Sequence, residues 1–313
     1  MPSKRSRLVV TTFKIRRLIS HVLKGNSPDL SPNGIEALRR KTEKTARMFG
    51  KLPKGMIIHP NPLEKIYAEW ISLPESPDGK AILYFHGGGY VIGSPQSHRI
   101  HVSKIVSGTG IRAFLFDYRL APEHPFPAAL DDALKVYDHL LSIGLKPSDI
   151  VFMGDSAGGG LCLATLGTLK DAGKPLPSGA VALSPWTDLT CSAQSLKTNL
   201  KKDPMTWEGS CLVFSEYYCG GHDPVNPKIS PLFDDLDGLP PLMIFAGEDE
   251  VMRDDAIRYA EKATQSGTEV SLTVGAGMFH CYPVMSPLFP EAKKAMGEIC
   301  GFIRRRLDMK RET

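Results

Sequence analysis

The chain reads as an α/β protein, with one mostly parallel β-sheet flanked by helices. Three observations predict this. Its 313 residues are 42% hydrophobic and 23% charged, ordinary for a globular chain and enough for one large domain or two of average size. From about residue 66 onward, short apolar runs alternate with helix-period segments, the texture of strands joined by crossover helices. Glycine-rich turns stand directly after two of those runs, at His86-Gly87-Gly88-Gly89 and at Gly154-Asp155-Ser156-Ala157-Gly158.

Taken in order, residues 26–62 are broken by Pro28, Pro32, Pro53, Pro60 and Pro62, with a polar helical stretch near 35–49 between them. The apolar runs at 66–71, 81–85, 113–117, 150–153, 180–183, 242–246 and 270–274 predict strands. Helices are predicted over 98–107, 127–141, 157–171, 253–265 and 290–306. In the second of these, Ala128, Leu130, Leu134, Tyr137 and Leu141 recur at near-helical spacing. Residues 187–236 break the alternation and read as an insertion between two strands. Together with residues 1–60 they are expected to form a lid over the sheet.

The net charge of +4 is unevenly placed. Residues 1–25 carry seven basic side chains (Lys4, Arg5, Arg7, Lys14, Arg16, Arg17, Lys24) and no acid, so taking these from +4 leaves −3 for residues 26–313. A body of that sign is a poor nucleic-acid binder, and no nucleic-acid partner is expected. The six cysteines show no CxxC pair and no metal-ligand spacing. No apolar run is long enough to span a membrane, and no secretory leader is recognisable. A reducing, cytoplasmic setting is the expectation.

Candidate chemistry begins at Ser156. Glycines two residues to either side suit a tight strand-to-helix turn that lifts the serine hydroxyl above the sheet. The helix that follows aims its N-terminal dipole and N–H groups at the same place. His86–Gly89 supplies bare backbone that can approach a ligand, as an oxyanion hole requires. A serine nucleophile needs a base, and the expected chain order places the acid and then the histidine after it. Only His222 and His280 follow Ser156. His222 sits in a Gly- and Asp-rich turn of the insertion, whereas His280 lies on the loop after the last predicted strand. The acid should leave the strand at 242–246, where Glu248, Asp249 and Glu250 stand in a row; spacing leaves Asp249 and Glu250 both open.

These blocks resemble the α/β-hydrolases of the hormone-sensitive-lipase group, the bacterial-type carboxylesterases. The resemblance is carried by His86–Gly89, Tyr118–His124 with Phe126–Ala129, Gly154–Gly160, Ser184-Pro185-Trp186, Leu239-Pro240-Pro241 and Arg253-Asp254-Asp255, in family order over residues 66–306. It implies an α/β-hydrolase fold with a helical cap, in which 1–60 is an N-terminal cap segment, 61–313 is the catalytic domain and 187–236 adds further cap elements. It implies Ser156 as nucleophile, His280 as general base and acid, and Gly88, Gly89 and Ala157 as oxyanion donors. In that group the acid stands four residues before the aspartate of an arginine–aspartate pair, here Asp254. That selects Glu250, although the usual residue is aspartate, and leaves Asp249 as the alternative. Glu123, His124 and Asp155 are read as architectural.

The activity so implied is hydrolysis of short- to medium-chain carboxylic esters through a Ser-His-Glu triad and an acyl-enzyme, with a small-molecule ester as the partner. No cofactor and no metal are implied. The chain contains neither a GxGxxG nor a GK[ST] nucleotide loop. A non-catalytic small-molecule-binding protein on the same fold and a serine amidase are the alternatives; the presence of His280 counts against the first. Members of the group often dimerise, so a homodimer is a further expectation of the resemblance. In residues 1–25, Leu8, Val9, Phe13, Ile15, Leu18, Ile19, Val22 and Leu23 interleave with the basic residues as a basic amphipathic helix. The preferred reading is a cap helix turned to the pocket; weak membrane-surface contact is the second and an organellar targeting segment the third.

Overall fold

The computed structural model describes residues 2–24, 29–48 and 51–308. In chain order the elements are α1 (Lys4–Lys24), α2 (Pro32–Met48), β1 (Ile57–Pro60), β2 (Ala68–Ser72), β3 (Ala81–Phe85), α3 (Pro95–Thr109), β4 (Ala113–Phe116), α4 (Ala128–Ser142), β5 (Ile150–Asp155), α5 (Ala157–Asp171), β6 (Gly179–Leu183), α6 (Ser195–Thr198), α7 (Ser210–Cys219), β7 (Leu242–Gly247), α8 (Arg253–Gln265), β8 (Val270–Gly275) and α9 (Pro290–Arg306). The strands form one eight-stranded sheet in the order β1-β2-β4-β3-β5-β6-β7-β8. Strands β3 to β8 run parallel, and β1 and β2 are antiparallel additions at one edge.

Successive side chains of a strand point to opposite faces, and each face carries its own core. In β3, Ala81, Leu83 and Phe85 pack toward α4, α5 and α8, while Ile82 and Tyr84 pack toward α3 and α9. A sheet buried on both faces explains why its strands read as continuous apolar runs.

Two departures from the expected elements have local causes. β1 is a short, largely exposed edge strand ending at Pro60, with no apolar alternation to signal it; pairing with β2, Ile57 opposite Ser72, makes it a strand. α3 starts at Pro95, three residues before the predicted 98. There the Ser94 hydroxyl accepts from the Ser97 N–H and the Ser97 hydroxyl accepts from the Ser94 N–H, a reciprocal cap with proline in the first turn.

The segment 187–236 is tied to α8 rather than loose. The backbone N–H groups of Thr187 and Asp188 both donate to Asp255 Oδ2 at 3.0 Å, Arg258 pairs with Asp188 at 2.9 Å, and the Ser195 N–H donates to Asp254 Oδ2 at 2.8 Å. Burial and the neighbouring Asp188 charge push the Asp255 carboxyl up to about 7, against the pull of Arg258. The Arg253-Asp254-Asp255 block is thus the clasp for the insertion.

At the N-terminus α1 lies against α9. The Ser3 hydroxyl donates to Glu291 at 2.9 Å, and Phe13 meets Phe279 edge-on at 5.6 Å. The face turned inward carries Ser6, Val9, Val10 and Phe13, whereas Leu8 and Ile15 are 67% and 51% exposed. The side chains of residues 16–24, including Leu18, Ile19, Val22 and Leu23, lie outside the described residues. Among the described residues no helix is long and apolar enough to cross a membrane.

Candidate active site

Ser156 stands between β5 and α5 with φ 55° and ψ −125°, a left-handed backbone that a non-glycine residue adopts only where its surroundings hold it. Its N–H donates to the Leu183 carbonyl at 2.8 Å, and its own carbonyl accepts from Gly160 and Trp186 at 3.0 and 3.1 Å. The turn is too tight for side chains at its flanks: a Cβ on Gly158 would fall 2.2 Å from the Phe85 carbonyl oxygen. That crowding is the reason for the glycine two residues after the serine. Ala157 opens α5, so its N–H is one of the unsatisfied first-turn donors of that helix.

The loop after β3 runs beside the elbow. The Gly87 N–H donates to Asp155 Oδ1 at 3.1 Å, which fastens the loop to the residue before the serine. Gly89 has φ 64°, and the Phe214 ring of α7 lies so close that a Cβ there would sit 2.3 Å from its edge. Upstream, His86 is buried and stacks on Tyr118 with ring centroids 4.1 Å apart; burial and the charge of His98 push it down to about 3, so it is neutral. Downstream, Arg39 of α2 donates to the Val91 and Ala121 carbonyls at 2.7 and 2.8 Å and pairs with Glu123. Glu123 thus ties α2 to the turn after β4.

Of the two acids left open by spacing, the structure turns only Glu250 toward His280. Glu250 is fully buried; its Oε2 accepts from the Ser184 hydroxyl at 2.7 Å and the Gly247 N–H at 2.8 Å, and its Oε1 lies 3.8 Å from His280 Nδ1. Both Oε1 and Nδ1 are buried without another partner, so each is the group the other faces. Asp249 turns away, partly exposed, toward Lys202 at 3.7 Å. The loop bearing His280 is pinned to the acid loop: Asp249 N–H donates to the Met278 carbonyl at 2.9 Å, and Cys281 N–H donates to the Ser184 hydroxyl at 2.9 Å. Ser184 thus bridges the acid and the histidine loop. Nothing in its sequence surroundings beyond the Ser184-Pro185-Trp186 block marks it for that position.

Ser156, His280, Gly88 and Gly89 open onto one cavity of about 610 Å³. Its walls are largely apolar, with Phe13 from α1, Leu38 from α2, Ile92 beside the glycine loop, Met205 and Phe214 from the insertion, and Leu288 before α9. Cys211 and Cys281 also line it; burial pushes the Cys281 thiol up and the Cys211 thiol to about 11, so both stay protonated at neutral pH. His222, passed over in the sequence, packs edge-on against Phe126 and is absent from the cavity wall.

A family profile described as the alpha/beta hydrolase fold matches residues 82–284, the stretch from β3 to the histidine loop. The chain is an α/β-hydrolase. Its relatives narrow the reaction. This hydrolase is 39% identical over 272 residues to an acetyl-hydrolase of Streptomyces hygroscopicus, covering 86% of this chain and 90% of that one. It is 38% identical over 275 residues to an esterase of Acinetobacter venetianus, with 88% and 89% covered. Among solved structures, an esterase of the bacterial hormone-sensitive lipase family superposes with a TM-score of 0.89 at 36% identity, over 98% of this chain and 99% of that one. The hydrolase therefore belongs with the bacterial hormone-sensitive-lipase esterases and is a carboxylic ester hydrolase.

The contact between Gly89 and Phe214 gives the hydrolase a sharp test. Gly89→Ala is expected to lower kcat/KM for p-nitrophenyl butyrate by about 100-fold, because the methyl must displace either the ring or the loop that presents the Gly89 N–H. The double variant Gly89→Ala/Phe214→Leu should recover part of that loss by removing the obstacle. Absence of any loss in the single variant would show that the loop tolerates a side chain there.

Proposed function

We propose that this hydrolase is a serine carboxylesterase acting through Ser156, His280 and Glu250 by way of an acyl-enzyme. The reading is carried by one observation: the elbow serine and His280, backed by a buried carboxylate, open onto the same apolar cavity. His280 removes the Ser156 proton as the hydroxyl oxygen attacks the ester carbonyl. The oxyanion so formed is held by the N–H groups of Gly88, Gly89 and Ala157, which cost no reorganisation because their backbone is already fixed. His280 then hands the proton to the departing alcohol. Water, activated by the same imidazole, hydrolyses the acyl-enzyme and restores Ser156. Glu250 orients the ring and steadies the imidazolium. Its position is itself held by Ser184 and Gly247.

A mostly apolar cavity of about 610 Å³ favours acyl chains of short to medium length, up to what a drug-sized pocket holds. The cap in this reading is α1, α2 and the 187–236 segment, each of which contributes to the cavity wall. Six free cysteines fit a reducing compartment, and a cytoplasmic site follows from that reading. A homodimer is part of the same proposal by family resemblance.

Deletion of residues 1–25 tests the cap. With Phe13 gone from the wall, the preference among acetate, butyrate and octanoate p-nitrophenyl esters should shift by at least about threefold, a change of roughly 0.7 kcal/mol that loss of one apolar wall can supply. The exposed Leu8 and Ile15, set among exposed Lys4, Arg5, Arg7 and Lys14, favour membrane-surface contact as the second role for α1. An unchanged chain-length profile together with lost binding to anionic vesicles would overturn the cap in favour of an anchor.

A further inference from the structure

Beside the elbow lies a group of side chains that the ester mechanism does not use. α3 carries His98 and His101 three residues apart, and the end of β5 brings Asp155 to them. Their three ligand atoms lie within 4.8 Å of one another. His98 Nε2 is 3.6 Å from Asp155 Oδ1, close to the roughly 3.3–3.4 Å between neighbouring ligands when a tetrahedral zinc holds nitrogen and oxygen at about 2.0–2.1 Å. His98 Nδ1 stands 3.0 Å from the Ser94 carbonyl. That outer hydrogen bond turns Nε2 toward the cluster, as the outer partner of a ligating imidazole does.

Further polar groups converge on the same atoms. The Tyr84 hydroxyl donates to Asp155 Oδ1 at 2.7 Å and stands 2.8 Å from His101 Nε2, and the Gly87 N–H is shared between Asp155 Oδ1 at 3.1 Å and His98 Nε2 at 3.2 Å. A buried carboxylate needs a cation beside it. A divalent ion seated among the three donors would supply one. Two imidazoles and a carboxylate are donors of the zinc class rather than of the magnesium class. All three residues line the cavity of the candidate active site, which gives an ion a route in.

We propose that His98, His101 and Asp155 form an inhibitory site for zinc-class divalent ions. Asp155 couples the site to catalysis twice over. It precedes Ser156 in the chain, and its Oδ1 is the atom that holds the Gly87 N–H just ahead of the oxyanion glycines. An ion that takes Oδ1 draws it from Gly87 and loosens that loop, so turnover falls while the ion is bound. The inhibitory half of the proposal rests on the esterase reading; the binding half does not.

The test uses the full-length chain with zinc chloride and magnesium chloride, reading metal binding by equilibrium dialysis and turnover with p-nitrophenyl butyrate. The expected result is one zinc per chain, no stoichiometric magnesium, and a turnover loss of at least tenfold at saturating zinc that EDTA reverses. His101→Gln should keep most of the zinc-free turnover and weaken zinc binding at least tenfold. His98→Asn is the second variant should the first fail to fold. Cys211→Ser should bind zinc as the parent does. No stoichiometric zinc, binding by both histidine variants equal to the parent's, loss of binding in Cys211→Ser, or zinc bound with turnover unchanged would each overturn the proposal. A parent chain without zinc-free turnover would instead fail the esterase reading, and the dialysis arm would still be readable.

Discussion

Ser156→Ala is expected to lower kcat/KM for p-nitrophenyl butyrate by roughly 10⁴-fold or more, with the fold unchanged. The size follows from what the serine supplies. Without its oxygen no acyl-enzyme can form, and only water attack aided by the oxyanion donors and substrate positioning remains, about 10³–10⁴ over the uncatalysed rate. The fold should survive because the strained backbone at position 156 is held by its neighbours: the N–H bond to Leu183 and the carbonyl bonds from Gly160 and Trp186 do not involve the hydroxyl. Thermal unfolding of the variant beside the parent separates the two effects. Turnover within tenfold of the parent would remove Ser156 from the mechanism.

The second large effect separates two adjacent carboxylates. Glu250→Gln is expected to cost roughly 10³–10⁴ in kcat, the scale seen when the acid of a serine triad becomes an amide. Asp249→Asn should cost less than about threefold, because its carboxylate sits near Lys202 at the rim and an exposed ion pair contributes little. The pH profile gives a second reading. Burial disfavours the His280 imidazolium, but Cys281 and Glu250 outweigh it and raise the His280 pKa well above its ordinary 6.5. Cys281 remains a thiol at neutral pH, so Glu250 is the charge that acts there. A protonated His280 cannot accept the serine proton. Activity should therefore fall as pH drops through a midpoint above 6.5, and Glu250→Gln should move that limb to lower pH. Equal losses in the two variants, or a limb that does not move, would take Glu250 out of the role proposed for it.

Much of the architecture was legible because it follows from local rules. A sheet covered on both faces needs apolar strands, and six of the seven predicted strands fall on β3 to β8 with their limits matched to within about two residues; the seventh overlaps β2. β1 was not legible. A four-residue exposed edge strand carries no periodicity, and only its partner β2 makes it a strand. The 3.6-residue pattern likewise gave the body of α3 but not its start, which depends on the Ser94–Ser97 cap. At the site, Ser156 and the glycines could be read because a tight turn and a bare loop impose residue types at fixed offsets. The contacts made by Arg39, Ser184 and Phe214 could not. Each acts across a long chain separation, by clamping the glycine loop, bridging Glu250 to the histidine loop, or packing on Gly89.

The pattern of residues alone therefore marked the fold class and the tight strand-to-helix turn at Ser156. These are consequences of backbone sterics and hydrophobic periodicity, which act over a few residues and leave their mark in composition. Spacing left Asp249 and Glu250 both open and the family resemblance selected Glu250; only tertiary structure shows which carboxylate faces His280, and why. Asp249 and Glu250 are adjacent, equally charged and on one loop. What separates them is that Ser184 and Gly247, from two neighbouring strand ends, converge on one carboxylate and leave the other at the surface. The same holds for the basic N-terminus. Its composition suits a cap or an anchor equally, and only packing on α9 and Phe279 shows which face of α1 turns toward the cavity. Burial is a property of three-dimensional neighbours, and neighbours this far apart in the chain leave no periodic trace in it.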